Sequence, residues 1–429
     1  MVRILFIHPD LGIGGAERLV VDAALALQTR GHDVSFLTNH HDPAHCFKET
    51  ADGTLRVQVV GDWLPRKIFG RFYAFCAYLR MVYAALYASF VLSHPEKVDV
   101  FFCDLISVGV PILRLAKRRP KIIFYCHFPD QLLSMREGYL KSVYRAPLNY
   151  LEEVTVGMAD VTLVNSKFTL RIFGDTFRRL NIVPDVLYPS LNTQYFDTMQ
   201  TKIATKQQNV QYSVVSGYED LPRNAFVYLD INRFERKKNH ALALHSFRFL
   251  VDALPVADAR RCRLIVAGGY DERVNENVEH FEELRQLVDK LGLQENVLLL
   301  RSPNDDEKFM LLHKADCLLY TPENEHFGIV PLEGMYMSKP VVALNSGGPT
   351  ETIVNSSTGF LCEKQPQKFA AAMLQLYRDN ALRERMGVMG RKRVQQKFSF
   401  EAFTDKLCNI VENIMKPTWT RESNKKKGE

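Results

Sequence analysis

Short apolar runs alternate with segments of helical spacing along most of the chain. An apolar run at 3–8 is followed by a glycine-rich turn, and residues 17–28 then repeat apolar side chains at intervals of three and four. Further apolar runs, with helical stretches between several of them, lie at 34–37, 98–103, 121–126 and 161–164. This alternation predicts a parallel sheet covered by helices, which is the doubly wound α/β fold class.

The alternation stops and then begins again, which predicts a second domain of the same kind. Residues 196–223 are polar and lack periodicity. Apolar runs return near 226–231, 263–267, 297–300, 317–320 and 340–344. A chain of 429 residues also exceeds the ~100–200 residues of a usual domain. We therefore predict an N-terminal domain at 1–195, a linker at 196–223 and a C-terminal domain at 224–398. A terminal helix at 399–416 and a basic tail at 417–429 follow.

The most apolar part of the chain, residues 72–92, is long enough to cross ~30 Å of hydrocarbon as a helix. Strands predicted before and after it belong to one sheet, and a single crossing would separate them. Arg80 near its middle would add roughly 2.5–3.5 kcal/mol to insertion. We therefore expect a helix that lies in the membrane interface, with Arg66, Lys67 and Arg71 beside the headgroups. A buried core helix is the alternative.

Composition indicates which cellular compartment and which classes of partner to expect. The net charge of +6 is modest for this length, and we predict no nucleic-acid partner. The eight cysteines form no CxxC pair, which favours a reducing compartment. The N-terminus enters an apolar run at once, without the pattern of a signal peptide.

Two glutamates mark the strongest candidate site. Glu325 and Glu333 enclose a loop that follows the predicted strand at 317–320 and enters a helix near Val330. Carboxylates accept hydrogen bonds from paired sugar hydroxyls, and the amides of a helix start bind diphosphate. This pattern predicts a site for a nucleotide sugar. A helix-capping acid beside an unrelated surface acid is the alternative.

A basic segment follows the first predicted strand of the second domain, where ligands bind in such folds. Arg233 and Lys238 are five residues apart and could reach the same diphosphate across a turn. Fixed positive charge there would stabilise a departing nucleoside diphosphate without a metal or another cofactor. A solvated run of charges is the alternative.

Two further motifs follow strands of the first domain. Gly12, Gly14 and Gly15 form a loop whose backbone could approach phosphate, with a tight structural turn as the alternative. The loop does not complete the GxGxxG pattern of dinucleotide-binding enzymes, because Glu17 occupies the last glycine position. His127 follows the strand predicted at 121–126, and we expect it to hydrogen-bond a sugar rather than abstract a proton.

These motifs resemble, over almost the whole chain, the alpha-1,3/1,6-mannosyltransferases of the dolichol-linked oligosaccharide pathway. The resemblance is carried by residues 8–18 (HPDLGIGGAER), 125–130 (YCHFPD), 266–271 (VAGGYD) and 324–333 (NEHFGIVPLE). It implies the retaining GT-B architecture, with two Rossmann-like domains that face a central cleft. It also implies GDP-mannose as donor, a dolichyl-diphosphate oligosaccharide as acceptor, and the cytosolic face of the endoplasmic reticulum membrane. Other mannosyltransferases of the pathway are implied as partners.

The resemblance also implies roles for individual residues. Glu325 contacts the transferred mannose, His127 lies near it, Glu333 contacts the ribose, and Arg233 and Lys238 hold the diphosphate. Phe327, Gly328 and Ile329 complete the donor site, and Gly12, Gly14 and Gly15 contact the diphosphate or the acceptor. Asn239 stands where many relatives of this fold have glycine, which leaves the shape of that turn open.

Two alternatives stay open within this interpretation. One is a GT-B enzyme that uses a UDP-sugar donor, since no base-reading residue is evident in the sequence. The other is a non-catalytic membrane-associated scaffold that retains the fold for binding. The intact set of Glu325, Glu333, Arg233 and Lys238 favours an enzyme.

Overall fold

The computed structural model describes residues 1–92, 98–133, 139–205 and 224–420, which form two compact units. The first domain consists of Met1–Ser190 together with Phe400–Glu429, and the second domain is Leu191–Ser399. The first domain therefore takes its last helix from the C-terminal end of the chain. The sequence-based boundary at 195 lies five residues beyond the one in the structure.

The first domain contains a seven-stranded parallel sheet with the strand order β3-β2-β1-β4-β5-β6-β7. The strands are β1 (Arg3–His8), β2 (Asp33–Thr38), β3 (Arg56–Val59), β4 (Val100–Asp104), β5 (Lys121–Cys126), β6 (Val161–Val164) and β7 (Asp185–Val186). The central strands are buried on both faces, which explains their continuous apolar runs.

Helices cover both faces of this sheet. They are α1 (Gly15–Thr29), α2 (Lys48–Ala51), α3 (Tyr73–Tyr87), α4 (Val110–Leu113), α5 (Asp130–Leu133), α6 (Tyr139–Val156), α7 (Lys167–Thr176) and, at the end of the chain, α17 (Phe400–Met415). A π-helical turn over Ala88–Leu92 extends α3. The helix α17 begins and ends within one residue of the predicted terminal helix, and its buried face packs with α1 in one apolar cluster.

The second domain contains a six-stranded parallel sheet with the order β10-β9-β8-β11-β12-β13. The strands are β8 (Phe226–Ile231), β9 (Cys262–Gly268), β10 (Val297–Arg301), β11 (Cys317–Tyr320), β12 (Val341–Leu344) and β13 (Gly359–Cys362). The helices are α8 (Thr193–Thr205), α9 (His240–Asp252), α10 (Val256–Ala259), α11 (Asn275–Lys290), α12 (Asp305–Lys314), α13 (Ile329–Tyr336), α14 (Pro349–Thr352), α15 (Pro366–Arg378) and α16 (Asn380–Lys397).

Every predicted strand is present, so the doubly wound α/β class is confirmed for both domains. The structure differs from the sequence analysis at 193–205, where α8 occupies the start of the predicted linker. The helix is held by Phe196, which is buried and packs its ring against those of Phe309 and Tyr336, contacts that a local pattern cannot reveal. The rest of the predicted linker, 206–223, and most of the predicted tail lie outside the described residues.

The helix α3 is buried along one face and exposed along the other. Across the described residues, Tyr73–Leu92 is the one helical segment long and apolar enough to cross a membrane, and 44% of its most apolar window is buried in protein. On its inner face, Arg80 donates to the carbonyl of Asn39 at 2.6 Å and to Asp62 Oδ1 at 3.0 Å. The exposed face carries the large apolar side chains Phe75, Leu79, Leu86, Phe90 and Val91. The position of this helix in a membrane interface stays a prediction.

Candidate active site

In the second domain, a buried pair fixes the turn that follows β8. Asp230 and His240 are fully buried, and their Oδ2 and Nδ1 atoms lie 2.8 Å apart. His240 Nε2 contacts the carbonyl of Arg233 at 3.0 Å. Burial lowers the pKa of His240, but the Asp230 carboxylate offsets this and raises that pKa above its usual value. The pair therefore holds the backbone between Arg233 and α9 in one shape.

Asn239 settles the shape of the same turn. It adopts a left-handed backbone conformation with φ of 54°, which glycine adopts freely and asparagine tolerates better than most residues. Asparagine can therefore occupy the position at which many relatives have glycine. The carbonyl of the preceding residue, Lys238, accepts a hydrogen bond from Thr321 Oγ1 at 2.8 Å, so the turn is also tied to the end of β11.

Lys238 and Glu325, each predicted at a ligand site after a strand, contact each other because β8 and β11 are neighbours in the sheet. Lys238 Nζ donates to Glu325 Oε1, and both side chains are only partly exposed. Arg233 is largely exposed and pairs with Glu235 at 3.0 Å. Two cations and a carboxylate thus lie at the carboxyl edge of the sheet, an arrangement that can bind a diphosphate and a sugar hydroxyl.

The loop that carries Glu325 rests on two glycines that follow β12. A Cβ atom on Gly347 would lie 2.4 Å from the carbonyl oxygen of Glu325, and one on Gly348 would lie 2.2 Å from that of Phe327. The Gly348 amide donates to the Glu325 carbonyl at 2.8 Å. The sequence analysis missed this support. The available signal was a pair of adjacent glycines that begins three residues after the end of a strand.

Glu333 lies on α13 and is almost fully buried. Its Oε1 accepts a hydrogen bond from Lys308 Nζ at 2.7 Å, whereas its buried Oε2 has no hydrogen-bond partner in the described part of the chain. A buried carboxylate oxygen without a partner is costly, so a ligand hydroxyl would stabilise it. Lys308 on α12 was not predicted, because nothing in its local sequence indicates that partner.

The residues between the two glutamates form the start of α13. Gly328 has a φ of 81°, and Ile329 is the first helical residue, with no side chain capping the helix. These backbone amides can bind an anion. The Phe327 ring is buried and lies 5.9 Å from that of Phe398, so this predicted donor-binding residue packs inside the domain.

In the first domain, the glycine loop leads directly into α1. Gly14 precedes the helix without a side-chain cap, and Gly15 is its first residue. A Cβ atom on Gly14 would lie 2.2 Å from Glu17 Oε2, whereas one on Gly15 would meet no atom within 4 Å. The close atom at Gly14 is the end of a flexible side chain that can move aside, while the open space at Gly15 would let a ligand approach the helix start.

His127 directly follows β5 and is partly exposed. Its Nε2 lies 3.0 Å from Oδ2 of the buried Asp104. The other oxygen of Asp104 lies 2.7 Å from His8 Nδ1. Sequence reasoning predicted His127 but neither partner. The common signal, visible only with hindsight, is that all three residues end or directly follow a strand.

Both domains match families of sugar-transferring enzymes. Residues 13–194 match Glycosyltransferase Family 4, and residues 218–393 match Glycosyl transferases group 1. Among solved structures, a glycosyltransferase from Rickettsia africae ESF-5 is 18% identical with a TM-score of 0.69, covering 97% of this chain and 99% of its own. WaaG, a glycosyltransferase involved in lipopolysaccharide biosynthesis, is 16% identical with a TM-score of 0.60, covering 95% and 99%. The predicted GT-B fold class is confirmed.

Curated relatives are similar over nearly the whole length. The alpha-1,3/1,6-mannosyltransferase ALG2 of Homo sapiens is 52% identical over 417 residues, which cover 96% of each chain. The enzymes of the same name from Mus musculus and Rhizomucor pusillus are 49% and 47% identical and cover 96% and 95% of this chain, and 96% and 90% of their own. The predicted family is therefore confirmed. The chain belongs to the alpha-1,3/1,6-mannosyltransferase family.

Proposed function

We propose that this enzyme transfers mannose from GDP-mannose to a dolichyl-diphosphate-linked GlcNAc-GlcNAc-Man acceptor. It adds one α-1,3 and one α-1,6 mannose and so completes the trimannosyl core of the N-glycan precursor. The observation that carries the proposal is the contact between Lys238 and Glu325, beside the exposed Arg233. Identity of about half to mannosyltransferases of the same length supports mannose as the transferred sugar.

The donor is held by groups of the second domain. Arg233, Lys238 and the amides at the start of α13 bind the diphosphate, and Glu325 binds the hydroxyls of mannose. The ribose hydroxyls bind to Glu333, whose Oε2 is buried without a partner in the described residues, while Lys308 orients its other oxygen. A carboxylate fixed at one oxygen and open at the other is well suited to a paired set of hydroxyls.

The arrangement supports transfer with retention at the anomeric carbon. The bond from that carbon to the donor phosphate breaks as the acceptor oxygen bonds to the same face. The leaving phosphate oxygen accepts the proton of the acceptor hydroxyl. Negative charge develops on the diphosphate during this step, and Lys238 and Arg233 stabilise it.

The acceptor binds to the first domain. A cavity of about 140 Å³ connects the end of β1 to α3 and is lined by Pro9, Asp10, Asn39, Arg66, Ala77 and Arg80. Through Ala77 and Arg80 it adjoins α3, a helix whose exposed face is apolar, which suits an acceptor whose sugars are polar and whose anchor is a lipid. The glycine loop and His127 follow strands at the same edge of the sheet.

We place the enzyme at the cytosolic face of the endoplasmic reticulum membrane. All eight cysteines are unpaired, which fits a reducing compartment. The outer face of α3 exposes large apolar side chains, which fits a membrane interface. Replacing Phe75 and Phe90 by Ser should lower the fraction that floats with liposomes. Unchanged flotation would contradict the role of this face.

The proposed function is tested with purified protein, a lipid-linked acceptor and either GDP-mannose or UDP-sugars, with the product linkages analysed. We expect α-1,3 and α-1,6 products from GDP-mannose alone. Lys238→Ala should lower kcat by roughly 10²–10³-fold, because one charge that stabilises the leaving group is lost. Lys237→Ala is the matched control, since Lys237 is exposed and pairs only with Glu235 among the contacts described.

The outcomes separate the alternatives. Turnover of a UDP-sugar in place of GDP-mannose would establish the other donor class. Absence of turnover with every donor, combined with retained membrane binding, would indicate a scaffold. Near-normal activity of Lys238→Ala would contradict the assignment of the diphosphate site.

A further inference from the structure

A buried carboxylate in the first domain connects two histidines. Asp104 is only 1% exposed, and its oxygens contact His8 Nδ1 at 2.7 Å and His127 Nε2 at 3.0 Å. His8 is equally buried, whereas the side chain of His127 is 16% exposed. His127 is thus the member of this group that a ligand can reach most easily.

The sheet brings these residues together. In the strand order, β4 lies between β1 and β5, and all three strands are parallel. His8 ends β1, Asp104 ends β4, and His127 directly follows β5. They therefore lie along the carboxyl edge of the central strands, which is where ligands bind in open α/β sheets.

The charges of the group stabilise one another. Burial alone would raise the pKa of Asp104, but the two imidazoles hold it below its usual value. Burial alone would lower the pKa of His8, but the Asp104 carboxylate raises it to about 10. At neutral pH the pair is therefore a buried imidazolium and carboxylate, and such charges persist only when paired.

The same group reaches the glycine loop. His8 Nε2 lies 3.9 Å from Oε1 of Glu17, in the first turn of α1, and the Glu17 side chain passes close to Gly14. The Nε2 atom of His8 has no hydrogen-bond partner within the usual distance among the described residues. Contacts thus run from the glycine loop through His8 and Asp104 to His127, all within the first domain.

An ionised carboxylate can only accept hydrogen bonds, so Nε2 of His127 must carry a hydrogen, and Nδ1 is the ring atom left to accept a hydrogen bond. We propose that Asp104 is a positioning residue that fixes His127 in this tautomer, so that Nδ1 accepts a hydrogen bond from a hydroxyl of the transferred sugar or the acceptor. His8 keeps Asp104 charged. The inference rests on the proposed function, in which the first domain binds the acceptor at the sheet edge that carries His127.

The experiment compares Asp104→Asn, His127→Gln and the double variant with wild-type protein. An amide can donate as well as accept, so the side chain introduced by Asp104→Asn no longer selects the tautomer. We expect Asp104→Asn to lower kcat by roughly 10²-fold, with the KM for the donor changed by less than about threefold. If Asp104 acts through His127, the double variant should be no slower than His127→Gln.

Asp22→Asn is the matched control, because Asp22 is a buried carboxylate of the same domain that pairs with Arg18 and Ser190. It should keep the wild-type kcat. Independently of activity, nitrogen-15 NMR of the histidine rings reports the tautomer of His127 in wild-type protein, with its signals assigned by their loss in His127→Gln. We expect hydrogen on Nε2.

Three results would overturn the inference: unchanged kcat in Asp104→Asn, losses that multiply in the double variant, or hydrogen on Nδ1 of His127. If Asp104→Asn does not fold, the NMR measurement on wild-type protein still decides. If wild-type protein does not use GDP-mannose, the proposed function is wrong. The NMR measurement would still test separately whether the contact with Asp104 fixes the tautomer of His127.

Discussion

A single buried glutamate shows how strongly position alters the chemistry of a residue. Glu152 on α6 accepts hydrogen bonds from the backbone amides of Asp130 and Gln131 at 2.6 and 3.1 Å. Burial raises its pKa to about 7, although those hydrogen bonds oppose the shift. Glu152 thus holds the start of α5, three residues after His127, and titrates near neutral pH.

This shift predicts a pH dependence of stability. Between about pH 4.5 and 7, the folded state holds a proton on Glu152 that the unfolded state has released, so stability falls as pH rises through this window. The loss approaches about 3 kcal/mol at most. Glu152→Gln should remove it. Melting temperatures from pH 4.5 to 8 should therefore decline less steeply in the variant than in wild-type protein.

The adjacent Glu153→Gln is the control, because Glu153 contacts Arg179 near the domain surface. Its melting curve should keep the wild-type slope across the window. Equal slopes for Glu152→Gln and wild-type protein would show that Glu152 does not titrate there.

At the scale of residues, sequence reasoning found the groups that stand in recognisable motifs and missed their partners. Lys238 and Glu325 were predicted because each follows a strand, and they contact each other. Lys308 and Asp104 were not predicted, since each contacts its partner only through tertiary packing. A charged residue can be assigned a role from sequence when the residues around it form a recognisable motif. Lys308 and Asp104 do not lie in such a motif.

At the scale of elements, the loop before α13 is held by backbone packing rather than by its own sequence. In Gly348→Ala, the added methyl carbon would lie 2.2 Å from the carbonyl oxygen of Phe327, which is too close. The loop that carries Glu325 must then move. We expect a loss of kcat/KM of roughly 10²-fold, because a displacement near 1 Å is costly in a preorganised site. Steady-state kinetics with varied GDP-mannose measures it.

Gly174→Ala provides the matched control. Gly174 lies on α7, and a Cβ atom there would meet nothing within 4 Å, so activity should be unchanged. If Gly348→Ala retained normal kcat/KM, the two glycines would not be needed to hold the Glu325 loop.

Elements with strong periodicity were predicted, and short or tertiary-dependent ones were not. The strands that the sequence analysis did not predict are β3, β7 and β13, which have two to four residues each. They form at sheet edges, where half of the hydrogen-bonding potential and much of the burial are absent, so their sequences carry little apolar signal. The helix α8 depends on aromatic contacts with α12 and α13.

At the scale of the whole molecule, each sheet reverses its strand order once, between β1 and β4 in the first domain and between β8 and β11 in the second. His8 and Asp104 flank the first reversal, and Lys238 and Glu325 follow the strands of the second. In open α/β sheets, ligands bind at the carboxyl ends of the strands, so the general location of both sites could be predicted. The particular contacts depend on packing that only the structure shows.

The return of α17 to the first domain predicts how that domain responds to core mutation. Leu407 is fully buried in the cluster that α17 shares with α1. Leu407→Ala should destabilise the first domain by about 2–5 kcal/mol, as large-to-small core substitutions do. Chemical unfolding measures the loss, and binding of GDP to the second domain should be unchanged in the folded protein.

Asn409→Ala, at an exposed position of the same helix, should change stability by less than about 0.5 kcal/mol. A loss of similar size in both variants would mean that burial in the apolar cluster does not determine the stability that α17 provides.

The position of α17 also sets an order for biosynthesis. The chain leaves the first domain at Ser190, builds the second domain, and supplies α17 from Phe400 onward. A ribosome must therefore translate the entire second domain before the apolar face of α1 can be covered. Until then the nascent first domain exposes that face, and we expect chaperones to bind it in chains arrested before Phe400 and to release it once the full-length chain has left the ribosome.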